Sequence, residues 1–127
     1  MNLIIDIGNT SAKLAVFEQG EMKELLRCSC LSLQGLEALC SQYPIKKGIV
    51  SSVVSLPEEP TQRIHSLPFP VLEFTYKTPI PIQNLYQPPA TLGMDRLAAV
   101  IAAQSIKPSQ PILVIDAGTC ITYDFIE

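Results

Sequence analysis

Two apolar segments with a polar turn between them open the chain. Residues 3–7 and 14–17 are rich in isoleucine, leucine, valine and phenylalanine, and residues 8–11 are Gly-Asn-Thr-Ser. Short β-branched runs bounded by small polar residues are typical of strands joined by a tight connection. The pattern predicts a β-hairpin over residues 3–17. The polar turn has two interpretations, an ordinary capped turn or a cradle for a bound anion.

The spacing of apolar residues predicts further elements downstream. Ser32 precedes a helical pattern and is predicted to cap it, because its side chain can accept from the free amides of the first turn. The predicted elements are a third antiparallel strand over 21–30, a helix over 33–42, a buried parallel strand over 48–54, a short helix over 57–66 and a strand over 71–74.

Residues 77–90 contain four prolines and predict a long, stiff loop that either faces a substrate or is a surface connection. An alanine-rich helix over 91–104 follows, and its composition predicts burial on most sides. Asp95 in the first turn is favoured by the helix dipole, whereas Arg96 is not. Because a cation is disfavoured there, the pair indicates a place to bind an acidic or hydroxylated small molecule.

The opening pattern recurs near the end of the chain. Residues 112–126 again show an apolar strand, an aspartate, a glycine two residues later, small hydroxyl residues and a second apolar strand, so that Asp116 matches Asp6 and Gly118 matches Gly8. A carboxylate beside several hydrogen-bond donors suits a phosphate and its Mg²⁺. Two such hairpins predict a duplicated domain whose copies each begin with a phosphate-facing hairpin.

Composition narrows the function classes. The 127 residues are 47% hydrophobic and 17% charged, with a net charge of −3, which fits one domain with a core and disfavours a nucleic-acid-binding protein. No apolar run reaches the roughly 20 residues needed to span a bilayer, and no signal sequence is evident, so we expect a cytoplasmic protein without membrane contact. Four unclustered cysteines and the single His65 make a zinc cluster or a Ser-His-Asp triad improbable. The chemistry is therefore expected from carboxylates and bound cations.

Three spaced motifs resemble the type III pantothenate kinases, within the actin-like, sugar-kinase and Hsp70 ATPase superfamily. They are residues 6–10 (Asp-Ile-Gly-Asn-Thr), Tyr86 with residues 93–96 (Gly-Met-Asp-Arg), and residues 116–119 (Asp-Ala-Gly-Thr). Met94 departs from the alanine usual in the second motif. The resemblance implies an α/β, ribonuclease H-like (actin-like ATPase) domain, whose mixed sheet starts with three antiparallel strands and carries helices on both faces.

The resemblance also implies an ATP-dependent phosphorylation of pantothenate in coenzyme A synthesis, with Mg²⁺ and a monovalent cation, K⁺ or NH₄⁺. Asp95 would be the general base, Asp6 would bind Mg²⁺ directly or through water, and Asp116 would bind the monovalent cation. The residues expected to bind ATP are Asp6, Ile7, Gly8, Asn9, Thr10, Ser11, Ala12, Lys13 and Thr119. Those expected to bind pantothenate are Tyr86, Gly93, Met94, Asp95 and Arg96.

Length bears on the domain organisation. Members of the family are about twice as long, so residues 1–110 are expected to form the first actin-like domain and residues 111–127 the opening hairpin of a second, with a homodimer at full length. We expect this terminal hairpin to pair with the edge of the first sheet, to pair with another copy, or to be loosely held. Two other functions stay open: a transcriptional activator of the Bvg accessory factor type, which the negative charge disfavours, and a nucleotide sensor without turnover.

Overall fold

The computed structural model describes residues 1–127, which divide into two compact units, Met1–Phe74 and Thr75–Glu127. The predicted domain boundary between residues 110 and 111 therefore does not coincide with the division between these units. The first unit contains, in order, strands β1 (Asn2–Ile7), β2 (Ala12–Glu18) and β3 (Glu21–Cys28), helix α1 (Leu33–Gln42), strand β4 (Lys47–Ser52), helix α2 (Glu58–His65) and strand β5 (Val71–Glu73).

The five strands form one mixed sheet in the order β3-β2-β1-β4-β5. β1, β2 and β3 pair antiparallel and β4 pairs in parallel with β1, as the sequence predicts, and β5 continues the sheet in parallel beside β4. β2 and β3 are joined by Gln19 and Gly20, which both have positive φ. Such a two-residue turn matches the twist of the flanking strands, and it fixes the third strand beside the second.

The core of the first unit lies on one face of this sheet. Alternate residues of β1, Leu3, Ile5 and Ile7, are buried, and they share a cluster with Leu36 of α1 and Ile64 of α2. Both helices therefore cover the same face. The mixed sheet with its packed helices is the α/β architecture that the sequence predicts.

Helix α1 begins and ends where the sequence predicts. The Oγ of Ser32 accepts a hydrogen bond of 3.0 Å from the amide of Gly35, so the predicted cap is confirmed. The third strand ends two residues earlier than predicted, at Cys28.

The second unit contains a 3₁₀ turn (Pro89–Thr91), helix α3 (Met94–Ile106) and strands β6 (Ile112–Ala117) and β7 (Ile121–Ile126). Residues 77–88 form neither helix nor strand, as their prolines predict. β6 and β7 pair antiparallel in a sheet of their own, which contacts α3. No helix of the protein is long and apolar enough to cross a membrane.

Two expectations for α3 are wrong, its first residue and its burial on most sides, and one of the three alternatives for the terminal hairpin is not seen. α3 begins at Met94 rather than Thr91, because Gly93 is still extended, and Leu97 is the only residue of the helix that is buried. An alanine-rich pattern is apolar around the whole helix, so it does not tell which side has a partner. The terminal hairpin does not pair with the first sheet: its strands pair only with each other, and five large apolar side chains on one face are exposed, namely Leu113, Ile115, Ile121, Tyr123 and Phe125.

Candidate functional site

The turn of the first hairpin is held by its own backbone. The amide of Gly8 donates to the carbonyl of Ser11 over 2.9 Å, and a Cβ on Gly8 would lie only 3.2 Å from that oxygen. Asp6 and Lys13 face each other across the two strands, and Lys13 Nζ lies 3.1 Å from Asp6 Oδ2. Both side chains are partly exposed, so a carboxylate and a cation stand together just below the turn.

The residues of the predicted ATP-binding segment differ in the groups that they can present to a ligand. The side chains of Ile7 and Ala12 are buried in the core, so only their backbone groups can reach a ligand. Asn9 and Thr10 are exposed, and Ser11 and Lys13 are partly exposed. Within this segment the hairpin therefore presents polar side chains and peptide groups, the set that suits an anion.

Ser51 lies beside Asp6 in the parallel register of β1 and β4. Its Oγ is buried and has no hydrogen-bond partner, whereas the Oγ of the next residue, Ser52, bonds to the backbone of Val54. The Ser52 hydroxyl thus caps its own loop. An unpaired buried hydroxyl costs free energy, so Ser51 adds a donor or acceptor without a partner next to Asp6.

In the second unit, Gly93, Asp95 and Arg96 shape the start of α3. Asp95 folds over the first turn, and its Oδ1 accepts a 2.9 Å hydrogen bond from the amide of Arg96. A Cβ on Gly93 would collide with this carboxylate oxygen. The absence of a side chain at Gly93 thus leaves room for the carboxylate in this orientation, and the exposed carboxylate is held near the positive end of the helix.

Arg96 is fixed by two neighbours. Its Nε donates to Asp124 Oδ2 over 3.0 Å and its Nη2 donates to Asp124 Oδ1 over 2.6 Å, while the Tyr86 ring centroid lies 5.6 Å from the guanidinium carbon. The hydrogen bond to the Asp124 carboxylate raises the pKa of Arg96 above its usual value, so the guanidinium stays charged. A bidentate pair of this kind is among the stronger and more directional ion pairs.

A cleft of about 710 Å³ lies within the second unit beside this pair. Tyr86, Arg96 and Asp124 line it, together with apolar side chains from α3 and from the proline-rich loop, such as Val100 and Leu85. Its size and its mixture of a few polar groups with apolar walls suit a small organic molecule. Met94 and Gly93 do not line the cleft, and neither does Asp95.

The second Asp-x-Gly turn is more open than the first. Asp116, Gly118 and Thr119 are exposed, and the amide of Gly118 donates to the carbonyl of Cys120 over 3.0 Å. The chain holds no group of three or more His, Cys, Asp or Glu side chains that could bind a metal. Single carboxylates such as Asp6 and Asp116 fit a cation that takes its other ligands from phosphate oxygens and water.

The structure thus brings together two subsets of the predicted site. Asp6 and Lys13 meet in the first unit, and Tyr86 and Arg96 meet in the second, with Asp95 at the adjacent helix start. Sequence reasoning missed Asp124. A charged residue inside a strand, at a position alternating with Thr122 and Ile126, was the signal that could have identified it.

Comparisons with known proteins cover nearly the whole chain. The family model for type III pantothenate kinase matches residues 2–127. The chain is similar to a type III pantothenate kinase of Phocaeicola vulgatus (56% identity) and to one of Bacteroides fragilis (52% identity), each match covering 100% of the chain and 52% of the relative. A type III pantothenate kinase of Porphyromonas gingivalis is 39% identical, over 97% of the chain and 50% of the relative.

The chain spans about half the length of the curated relatives it matches. The match of the family model is nonetheless continuous from the first hairpin to the second. The chain therefore belongs to the type III pantothenate kinase family, whose fold is that of the actin-like ATPases, as the sequence predicts.

Proposed function

We propose that the complete gene product transfers the γ-phosphoryl group of ATP to the hydroxyl group of pantothenate, the first step of coenzyme A synthesis. The observation that carries the proposal is the start of α3, where an exposed carboxylate and a fixed arginine stand next to a cleft of suitable size. Family membership supports the same reaction, since the relatives are named for it.

Each group has a physical role in this proposal. Asp95 accepts the proton of the substrate hydroxyl, because its carboxylate is exposed and oriented by the amide of Arg96. Arg96 and Tyr86 hold pantothenate in the cleft. Gly93 and Met94, which do not line the cleft, contribute to substrate binding only through the helix start that they form. Phosphoryl transfer has a loose transition state in which charge spreads over the phosphate oxygens, so positioning and electrostatics supply most of the rate.

We assign nucleotide binding to the polar segment Asp6, Ile7, Gly8, Asn9, Thr10, Ser11, Ala12 and Lys13, with Thr119 from the second hairpin. Mg²⁺ near Asp6 and K⁺ or NH₄⁺ near Asp116 would neutralise phosphate charge when bound. Lys13 would hold the Asp6 carboxylate in place across the hairpin. We further propose that residues 1–110 are the first actin-like domain and residues 111–127 begin the second, and that the complete protein is a cytoplasmic homodimer.

The test measures ADP release by the complete gene product with ATP, Mg²⁺ and pantothenate, with and without K⁺. We expect turnover that requires pantothenate, and a loss of about 100-fold or more in kcat for Asp95→Asn, because the amide cannot accept the proton. Glu21→Gln is the matched control, since it makes the same chemical change at an exposed carboxylate of β3. No pantothenate-dependent turnover, or full activity in Asp95→Asn, would contradict the proposal.

A further inference from the structure

The cleft contains a charge pair whose acidic member has no assigned role. Asp124 lies on β7, and its side chain is only 17% exposed, while that of Arg96 is 25% exposed. Both oxygens of the carboxylate are engaged by the same guanidinium. The free-energy cost of removing an aspartate carboxylate from water is offset only when the carboxylate is well paired. The pairing with Arg96 therefore explains how a charged residue is tolerated at this position of the strand.

The geometry restrains the guanidinium in two ways. Asp124 takes the Nε and Nη2 donors in one plane, and the Tyr86 ring lies within cation–π range of the same group. The remaining amino group, Nη1, makes no hydrogen bond to the rest of the chain, and Arg96 lines the cleft. The Nη1 group therefore remains as a donor for a ligand. The contacts with Asp124 and Tyr86 hold it in one orientation, although the arginine side chain has several flexible torsions.

We propose that Asp124 is a positioning residue for Arg96, which fixes the guanidinium so that its Nη1 side is left to bind the polar end of the substrate in the cleft. The inference rests on the proposed function for the identity of that substrate, pantothenate. Asp124 acts through Arg96 and does not touch the reacting atoms. The Asp124 carboxylate also offsets the positive charge of Arg96. The site therefore selects a ligand by the orientation of its hydrogen bond to Nη1 and not by attraction to a net positive charge.

The kinetic test uses Asp124→Asn in the complete gene product. Asparagine offers one acceptor and no charge, so Arg96 loses its two-point support, and we expect KM for pantothenate to rise about tenfold while kcat changes less than about threefold. Glu21→Gln serves as the control for the same chemical change. A fall in KM would overturn the proposal, because it would mean that Asp124 only weakens the attraction of Arg96 for the substrate.

A double-mutant cycle separates positioning from a general structural effect. In the Arg96→Ala background, Asp124→Asn is expected to change KM by less than about twofold, because the side chain that it positions is gone. An equal rise in KM in both backgrounds would contradict the inference. Thermal unfolding of each variant identifies any fall in apparent kcat that follows from a loss of folded protein.

A spectroscopic readout keeps the inference testable if pantothenate is not the substrate. In nitrogen-labelled protein, the Arg96 guanidinium is expected to show slow rotation and a protected Nε proton, and both are expected to disappear in Asp124→Asn. The Arg96→Lys variant assigns the signal among the arginines of the protein. Free rotation in the unmodified protein overturns the positioning role, whereas absent turnover with a restrained Arg96 overturns only the proposed reaction.

Discussion

The two Asp-x-Gly hairpins share a sequence pattern but not an environment. Ile5 and Ile115 stand at matching positions, one residue before the aspartate, yet Ile5 is 0% exposed and Ile115 is 57% exposed. The first hairpin is the centre of a five-stranded sheet, and the second is a sheet by itself. The pattern therefore specifies a hairpin and its turn, whereas the elements packed on the strands decide which residues become core.

The aspartates differ in the same way. Asp6 faces Lys13 across its hairpin and is paired with it, whereas Asp116 faces Thr122 and makes no ion pair. Both turns close with a hydrogen bond from the glycine amide to the last loop carbonyl. The closing hydrogen bond is thus shared, whereas the loop length, four residues in the first turn (8–11) and three in the second (118–120), and the cross-strand partner of the carboxylate differ.

Truncating the matched isoleucines is the strongest test of this difference in environment. Ile5→Ala is expected to lower the free energy of unfolding of the 127-residue chain by about 2–5 kcal/mol, because it leaves a cavity in a packed core. Ile115→Ala is expected to cost less than about 1 kcal/mol, because its side chain is largely exposed. Urea denaturation measures both changes. Equal losses would show that the second hairpin has a packed face.

Substitution of Asp6 and Asp116 tests whether the two hairpins share a function although their environments differ. Asp6→Asn and Asp116→Asn in the complete gene product are each expected to reduce ATP-dependent turnover about 100-fold, because each removes a carboxylate assigned to a cation. Raising the K⁺ concentration is expected to recover activity in Asp116→Asn but not in Asp6→Asn. Activity that is unaffected by either change would contradict the paired role of the hairpins.

The smallest expected effect concerns the turn glycines. Gly8→Ala brings a Cβ to 3.2 Å from the Ser11 carbonyl oxygen, whereas a Cβ on Gly118 meets nothing within 4 Å. We expect Gly8→Ala to destabilise the chain by about 1 kcal/mol and Gly118→Ala to be neutral or slightly stabilising, because alanine restricts the unfolded chain. Thermal unfolding checks the ranking, and the reverse order would contradict the description of the two turns.

Much of the first unit was predictable because its signals are local. The Ser32 cap and the polar turn between the two apolar segments of the first hairpin each determine nearby structure through short-range chemistry. The burial of α3 was not predictable in this way, because an alanine-rich helix has no sharp apolar face. The sequence left three alternatives for the terminal hairpin for a related reason, since the pairing partner of a strand depends on what packs nearby, and pairing with the first sheet is the alternative that is not seen.

The candidate site shows the same limit. The turn residues and the Asp95–Arg96 helix start follow from motifs and helix chemistry, but the partner of Arg96 lies 28 residues away in sequence. Nothing in the sequence near Arg96 indicates Asp124, because their contact depends on how β7 packs against α3. Long-range pairs of this kind require the fold.

The exposed face of the second hairpin has a consequence for handling the chain. Two short strands with free outer edges and five exposed large apolar side chains combine the features that promote intermolecular strand addition and aggregation. Preparations of the 127-residue chain are therefore expected to lose monomer as concentration rises. Phe125 is the most exposed of these five side chains, and a charged substitution there is expected to raise the solubility of the 127-residue chain.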